Sequence, residues 1–209
     1  MHTSFAIIEL RKICKSFKRP TGEPFPVLVD IDLSLRDSEI LGLLGRSGSG
    51  KSTLLRIAAG LIQPTSGEVL YHGKPLTGPS EGIGVVFQTF ALFPWLTVLE
   101  NVEAGLDAIG LRGKEASRRA MSAIDLIGLN GFELAYPREL SGGMRQRVGF
   151  ARAMVIQPTV LLMDEPFSAL DVLTGETLRT DFLDLWVSHH VPTKSVLLVT
   201  VSAREKIPQ

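Results

Sequence analysis

Cysteine is nearly absent: Cys14 stands alone, which excludes a disulfide within the chain and suits a reducing compartment. Net charge is absent as well, since 22 Lys and Arg balance 22 Asp and Glu, so the chain lacks the global basic footprint of a nucleic-acid binder. Long hydrophobic runs are scarce. Residues 82–99 carry no charge and approach the roughly 17–25 residues of a membrane-spanning helix. Gln88, Thr89, Pro94 and Thr97 interrupt that stretch, and Ile83-Gly84-Val85-Val86-Phe87 reads as a buried strand. Residues 1–12 mix apolar and charged side chains and lack the apolar core of a signal peptide. The expectation is a soluble chain, so that any membrane role would have to come through a partner. Internal repeats and low-complexity segments are missing too, and 209 residues suit one α/β domain or two small lobes.

What the chain does have is Gly45-Arg46-Ser47-Gly48-Ser49-Gly50-Lys51-Ser52-Thr53, which fits the phosphate-loop pattern G-x-x-x-x-G-K-[ST]. Its flanks fit as well. Ile40-Leu41-Gly42-Leu43-Leu44 is an apolar run of buried-strand type, and Leu54, Leu55, Ala58 and Ala59 follow at helical spacing until Gly60. Glycines let the backbone turn and aim successive N–H groups at phosphate oxygens, and a helix N-terminus adds its dipole. Lys51 would reach the β- and γ-phosphates, and the Ser52 hydroxyl would take a Mg²⁺ position. A plain Gly/Ser turn is the competing reading. The Lys-Ser pair and both flanks outweigh it, so the chain is read as a nucleoside triphosphate binder.

Before the loop, Val27, Val29, Ile31, Leu33 and Leu35 alternate with Leu28, Asp30, Asp32 and Ser34, the pattern of a half-buried strand laid beside the nucleotide core. Phe17 lies just ahead of it, placed either to stack on an adenine or simply to pack in a strand. Beyond the first helix comes Thr89-Phe90-Ala91-Leu92-Phe93-Pro94-Trp95-Leu96, unusually apolar for a connection; taken alone, it reads as buried in its own domain. Thr97-Val98-Leu99-Glu100 has capping-box spacing and predicts a helix start. Residues 105–131 read as mostly helical, with Ala116, Ala120, Ile124 and Ile127 on one face.

Two further motifs follow. In Leu140-Ser141-Gly142-Gly143-Met144-Arg145-Gln146-Arg147, Ser141 is placed to cap a helix and the two glycines to expose backbone N–H groups, a second possible anion site. Arg138, Arg145, Arg147 and Arg152 could be a solvated face. The apolar Val160-Leu161-Leu162-Met163 then ends in Asp164-Glu165, at the strand edge where α/β sites gather their ligands. There Asp164 can hold a metal through water and Glu165 can polarise an attacking water. Pro166-Phe167-Ser168-Ala169-Leu170-Asp171 turns into another helix with Asp171 at its start.

The order of phosphate loop, Gln88, Leu140-Ser141-Gly142-Gly143, Met163-Asp164-Glu165-Pro166 and Ser168-Ala169-Leu170-Asp171 resembles the ATP-binding cassette ATPases, from about Ile8 to Thr200. Phe90 through Val102, Ser141 through Ala151 and Phe167 through Thr174 resemble the nitrate, sulfonate and taurine importer branch. The resemblance implies an α/β P-loop fold: a RecA-like, mainly parallel core sheet with an N-terminal antiparallel β subdomain and an inserted helical subdomain. It also implies a nucleotide-binding domain over residues 5–200, with the helical part at about 89–157 and an atypical tail at 201–209.

It implies roles too. Phe17 would stack on adenine, and Gln88 would touch Mg²⁺ or its water. Glu165, Lys51 and Gln88 would carry catalysis, and Ser52, Gln88 and Asp164 would hold Mg²⁺. Ser141, Gly142 and Gly143 would contact the ATP of a second copy in a head-to-tail homodimer, with Asp171 bridging the copies. The segment from Gln88 to Val98 would receive a membrane permease, which places the chain in the cytoplasm, peripheral on the inner face of the plasma membrane. A solute-binding protein would be an indirect partner, and nucleic acid none. The implied activity is ATP hydrolysis that energises import of a small anion. The chain departs from the family at Val201, where the family has a histidine after the strand Val196-Leu197-Leu198-Val199-Thr200; His189 and His190 precede that strand and do not take over the role. The tail after Val201 does not resemble the family's continuation either, so the last strands are expected to be missing. Two other readings follow: a copy that binds ATP but turns it over poorly, and a soluble non-transport cassette ATPase.

Overall fold

The computed structural model describes residues 5–168, 170–187 and 193–201, and leaves the side chain of Leu185 undescribed. Ala169, His189, His190 and residues 202–209 of the expected atypical tail lie outside the described residues.

Two four-stranded sheets divide the chain. The first runs in the order β2-β1-β4-β5, from β1 (Ala6–Lys18), β2 (Pro24–Arg36), β4 (Ser66–Tyr71) and β5 (Lys74–Pro75), with antiparallel pairing throughout. The second is wholly parallel, in the order β3-β8-β7-β6, from β3 (Ile40–Leu44), β6 (Ile83–Val86), β7 (Val160–Asp164) and β8 (Ser195–Thr200). This is the expected α/β architecture with an antiparallel N-terminal part. Parallel sheets need cover on both faces, and the central strands show it. Leu161 and Met163 of β7 and Val196 and Leu198 of β8 point into one apolar core, while Val160, Leu162, Leu197 and Val199 point into the other. The second core joins α1 (Lys51–Ala58) to the antiparallel sheet through Leu54, Leu55, Ile57, Ile8, Leu10 and Ile13. The first gathers α2 (Val98–Asp107), α3 (Lys114–Leu126), α4 (Gly142–Met154) and α5 (Val172–Val187).

Local chemistry explains the helix starts. Thr97 and Glu100 form the reciprocal capping box expected of α2: the Glu100 amide donates to the Thr97 hydroxyl at 3.3 Å, and the Thr97 amide donates to the Glu100 carboxylate at 2.7 Å. The Ser141 hydroxyl accepts the Met144 amide at 3.2 Å and caps α4. Residues 105–131 are less uniformly helical than the periodicity predicts. α2 ends at Asp107, and Gly110 and Gly113, both with positive φ, turn the chain into α3. Ala116, Ala120, Ile124 and Ile127 are buried on one face, as expected.

One expectation is overturned at β3. Its apolar run reads as a buried strand, yet Gly42 is exposed and Leu44 is 51% exposed. The reason is position: among the described residues β3 pairs only with β8, so its other edge is open.

Candidate functional site

β3 runs directly into the phosphate loop. Gly48 and Gly50 adopt φ 78° and 91°, the left-handed conformations that turn the loop back toward α1. Gly50 also has no room for a side chain, because a Cβ there would stand 2.9 Å from Leu28 Cδ2 and 3.1 Å from the Val27 carbonyl. That close approach sets the loop against β2. Arg46, Ser47, Gly48 and Ser49 are exposed, while Lys51, Ser52 and Thr53 open α1 half-buried. The Lys51 ammonium donates to the carbonyls of Gly45 and Arg46, at 2.7 and 3.0 Å, and arches over the loop. An exposed loop with glycine-shaped turns, a helix N-terminus and one ammonium is a cradle for phosphate oxygens.

The other motifs converge on it. The Ser52 hydroxyl donates to Asp164 Oδ1 at 2.7 Å, and Asp164 is buried at the end of β7. Glu165 follows with φ 47°, a left-handed conformation that a non-glycine residue adopts at a cost of about 1–3 kcal/mol. Its amide donates to the Val199 carbonyl at 2.8 Å, which ties the turn to β8. Gln88 Nε2 donates to Glu165 Oε2 at 3.1 Å and reaches Ser168 Oγ at 3.4 Å. Residues separated by 77 and 112 positions in sequence thus form one polar cluster at the strand ends. Its donors are hydroxyl, carboxylate and amide oxygens, a hard set that suits Mg²⁺ alongside phosphate oxygens. A carboxylate held beside such a cradle can orient a water, and an ammonium over it can stabilise charge on a transferring phosphoryl.

Val201 stands at the margin of this cluster. The preceding residue, Thr200, gives its carbonyl to the Gly45 amide at 3.4 Å, and Val201 itself is 42% exposed with no polar side-chain atom to offer.

Phe17 is 43% exposed at the far end of β1, opposite Phe25, with the Lys15 ammonium 5.3 Å from its ring centroid. Packing therefore leaves part of the ring open. Ser141, Gly142 and Gly143 form a separate group. A Cβ on Gly142 would stand 3.6 Å from Leu170 Cδ2, and one on Gly143 2.7 Å from Thr174 Cγ2. No hydrogen bond or ion pair among the described residues joins them to the phosphate loop. Asp171 adjoins this group. Its carboxylate accepts the Thr174 amide at 3.0 Å, and the bonds it receives from Thr174 hold its pKa below the usual carboxylate value.

The aromatic connection turns outward. Trp95 is 70% exposed and Phe93 38%, against the burial expected of the segment taken alone. Phe87, Ala91, Phe93, Ala104, Ala108 and Ile156 line a cavity of about 430 Å³ beside it. Asn101, wholly buried, holds the segment from below: its amide donates to the Phe93, Leu96 and Thr97 carbonyls at 2.9–3.1 Å and its oxygen accepts the Phe93 amide at 2.8 Å. The arginine face is corrected as well. Arg138 is exposed, but Arg147 donates to the Ile127 carbonyl and the Asp181 carboxylate, and Arg152 to the Phe90 and Ala91 carbonyls. Sequence reading missed Asn101 and Arg152 as organisers of the segment after Gln88.

Comparison with known proteins matches residues 28–168 to the ABC transporter family. The nitrate import ATP-binding protein NrtD of Synechocystis is 46% identical over 86% of the chain and 66% of its own length. The taurine import ATP-binding protein TauB of Mesorhizobium japonicum is 44% identical over 89% of the chain and 71% of its own. The chain thus spans about two thirds of the length of these curated relatives. Among solved structures, a dimeric post-hydrolysis state of an ATP-binding cassette bound to ADP and Pi superposes with TM-score 0.81 at 34% identity, covering 94% of this chain and 89% of that one.

Proposed function

The chain belongs to the ABC transporter family, and we propose on that premise that it is the ATP-hydrolysing subunit of an importer for a small anion. The observation that carries this reading is the convergence of Lys51, Ser52, Gln88, Asp164 and Glu165 at one strand edge, opposite an exposed phosphate loop. In this reading the loop amides and Lys51 hold the β- and γ-phosphates, and Phe17 stacks on adenine. Ser52, Asp164 and Gln88 would hold Mg²⁺, which supplies charge neutralisation to the phosphates. Glu165 orients the attacking water, and Gln88 fixes the Glu165 carboxylate through the bond at 3.1 Å.

Residues 5–200 act as one nucleotide-binding domain, with the helical part at about 89–157. Ser141, Gly142 and Gly143 lie apart from the phosphate loop of their own chain, which suits contact with ATP on a second copy in a head-to-tail pair. Asp171, ionised at neutral pH, lies beside them at that junction. The exposed Phe93 and Trp95 and the neighbouring groove suit a permease, and no helix among the described residues is long and apolar enough to cross a membrane. The chain would therefore act from the inner face of the membrane, with a solute-binding protein as an indirect partner.

Light scattering of the Glu165→Gln variant tests this. With MgATP it should pass from monomer to dimer, and Lys51→Ala on top should abolish the shift. A variant that binds MgATP tightly yet stays monomeric contradicts the head-to-tail assignment.

A further inference from the structure

The segment between Gln88 and the aromatic face is strained. Phe90 and Ala91 adopt φ 60° and 49°, two consecutive non-glycine residues in the left-handed region. Each such residue is strained and persists only where its surroundings hold it. The local bonds, Phe90 N–H to the Phe87 carbonyl at 3.1 Å and Ala91 N–H to the Thr89 carbonyl at 2.6 Å, close the turn but do not anchor it to the rest of the fold.

Arg152 supplies the anchor. From the last turn of α4, its two terminal nitrogens donate to the Ala91 carbonyl at 2.7 Å and the Phe90 carbonyl at 2.9 Å. The guanidinium also lies 5.6 Å from the Phe93 ring centroid. Among the described residues it has no carboxylate within ion-pair distance, and burial pushes its pKa down. A desolvated cation held by two carbonyls and a ring is costly unless those contacts are kept. The planar fork suits two adjacent carbonyls, a geometry lysine does not reproduce. Elsewhere α4 follows the same segment closely: an added Cβ at Gly149 would stand 3.5 Å from the Phe90 carbonyl.

Arg152 therefore joins three things. It belongs to the helix that Ser141 caps, it lines the groove beside Phe93, and it holds the turn two residues beyond Gln88. We propose that Arg152 is a positioning residue: by clamping Phe90 and Ala91 in their left-handed turn, it sets Gln88 against Glu165. The functional half of this rests on the proposed role of Gln88 and Glu165 in ATP hydrolysis. The clamp itself does not.

The test compares wild type, Arg152→Ala and the double variant Arg152→Ala with Ala91→Gly, by site-resolved amide exchange and by ATPase kinetics. Removing the clamp should speed exchange at Phe90 and Ala91 at least tenfold and leave α1 and β7 unchanged. It should lower kcat about tenfold with KM for MgATP unchanged. Glycine adopts φ near 50° without strain, so Ala91→Gly should restore most of kcat and slow the exchange again. A merely structural arginine would not be rescued by a glycine 61 residues away. If Arg152→Ala does not fold, Arg152→Lys keeps the stem and the charge and should show the same changes in smaller measure. Unchanged exchange in the turn, exchange raised throughout α4 and the core, or no rescue by glycine would each overturn the proposal. A wild type without turnover would defeat the proposed function, and the exchange data would still decide the clamp.

Discussion

Glu165 shows how much the site asks of single residues. It is held in a left-handed backbone conformation by its amide bond to Val199 and by the packed strand before it, which aims its carboxylate at Gln88. Glu165→Gln should keep MgATP affinity and cut turnover by about 10²–10⁴-fold, the range for losing a positioned acid or base; single-turnover phosphate release measures it. Val201 is the opposite case, a residue at the margin of the site with nothing polar to give. Val201→His should raise turnover about tenfold or more, since one preorganised donor to a phosphoryl transition state is worth at least that. Steady-state kinetics checks it, and an unchanged kcat would show that this position is not limiting. Lys51, Ser52, Asp164 and Glu165 were legible in sequence because their spacing encodes a strand, a turn and a helix start, whereas Gln88 came only through the family resemblance. Asn101 and Arg152 were not legible. Their hydrogen-bond partners are backbone groups, up to 8 residues away for Asn101 and 61–62 for Arg152, and a backbone group leaves no mark on residue type.

Among the elements, helix starts were readable and sheet edges were not. The capping box at Thr97 is local chemistry, visible in four residues. The exposure of β3 depends on which strand lies beside it, and an apolar run is silent on that. Helix contacts were equally silent. A Cβ at Gly105 would stand 2.6 Å from the Arg152 carbonyl, so α2 and α4 touch backbone to side-chain-free backbone. Gly105→Ala should cost about 1–3 kcal/mol by overpacking, read by urea denaturation. α3 carries a pH-dependent element. Glu115 is held down to about 2 by its hydrogen bonds to Arg118 and then Arg119. Its folded pKa is depressed, so its contribution is full above its ordinary value of 4.5 and is lost as pH falls toward about 2. Wild type should therefore melt above Glu115→Gln at pH 7, with the gap closing between about pH 4.5 and 2. A gap that persists at pH 2 would count against the ion pairs as its cause.

The whole molecule brings an antiparallel sheet, a parallel sheet and a helical layer together so that one edge holds the polar cluster. Ser141, Gly142 and Gly143 face elsewhere, beside Leu170 and Thr174. A second copy is therefore part of the account, and ATP is what would bring the two together. The exposure of the aromatic face after Gln88 also makes sense beside a partner, and Arg152 and Asn101 hold it ready. The class of fold was legible in the order of the motifs. The outward turn of Phe93 and Trp95 could be expected only through the family resemblance, because apolar composition alone cannot separate a core from a docking surface. The most direct test of the account is Mg²⁺-dependent phosphate release by the purified chain, with folded Glu165→Gln as the blank. Release should stand clearly above that blank and be lost on chelation of Mg²⁺ and on Lys51→Ala. Release equal to the blank, from wild type that binds MgATP, would contradict it.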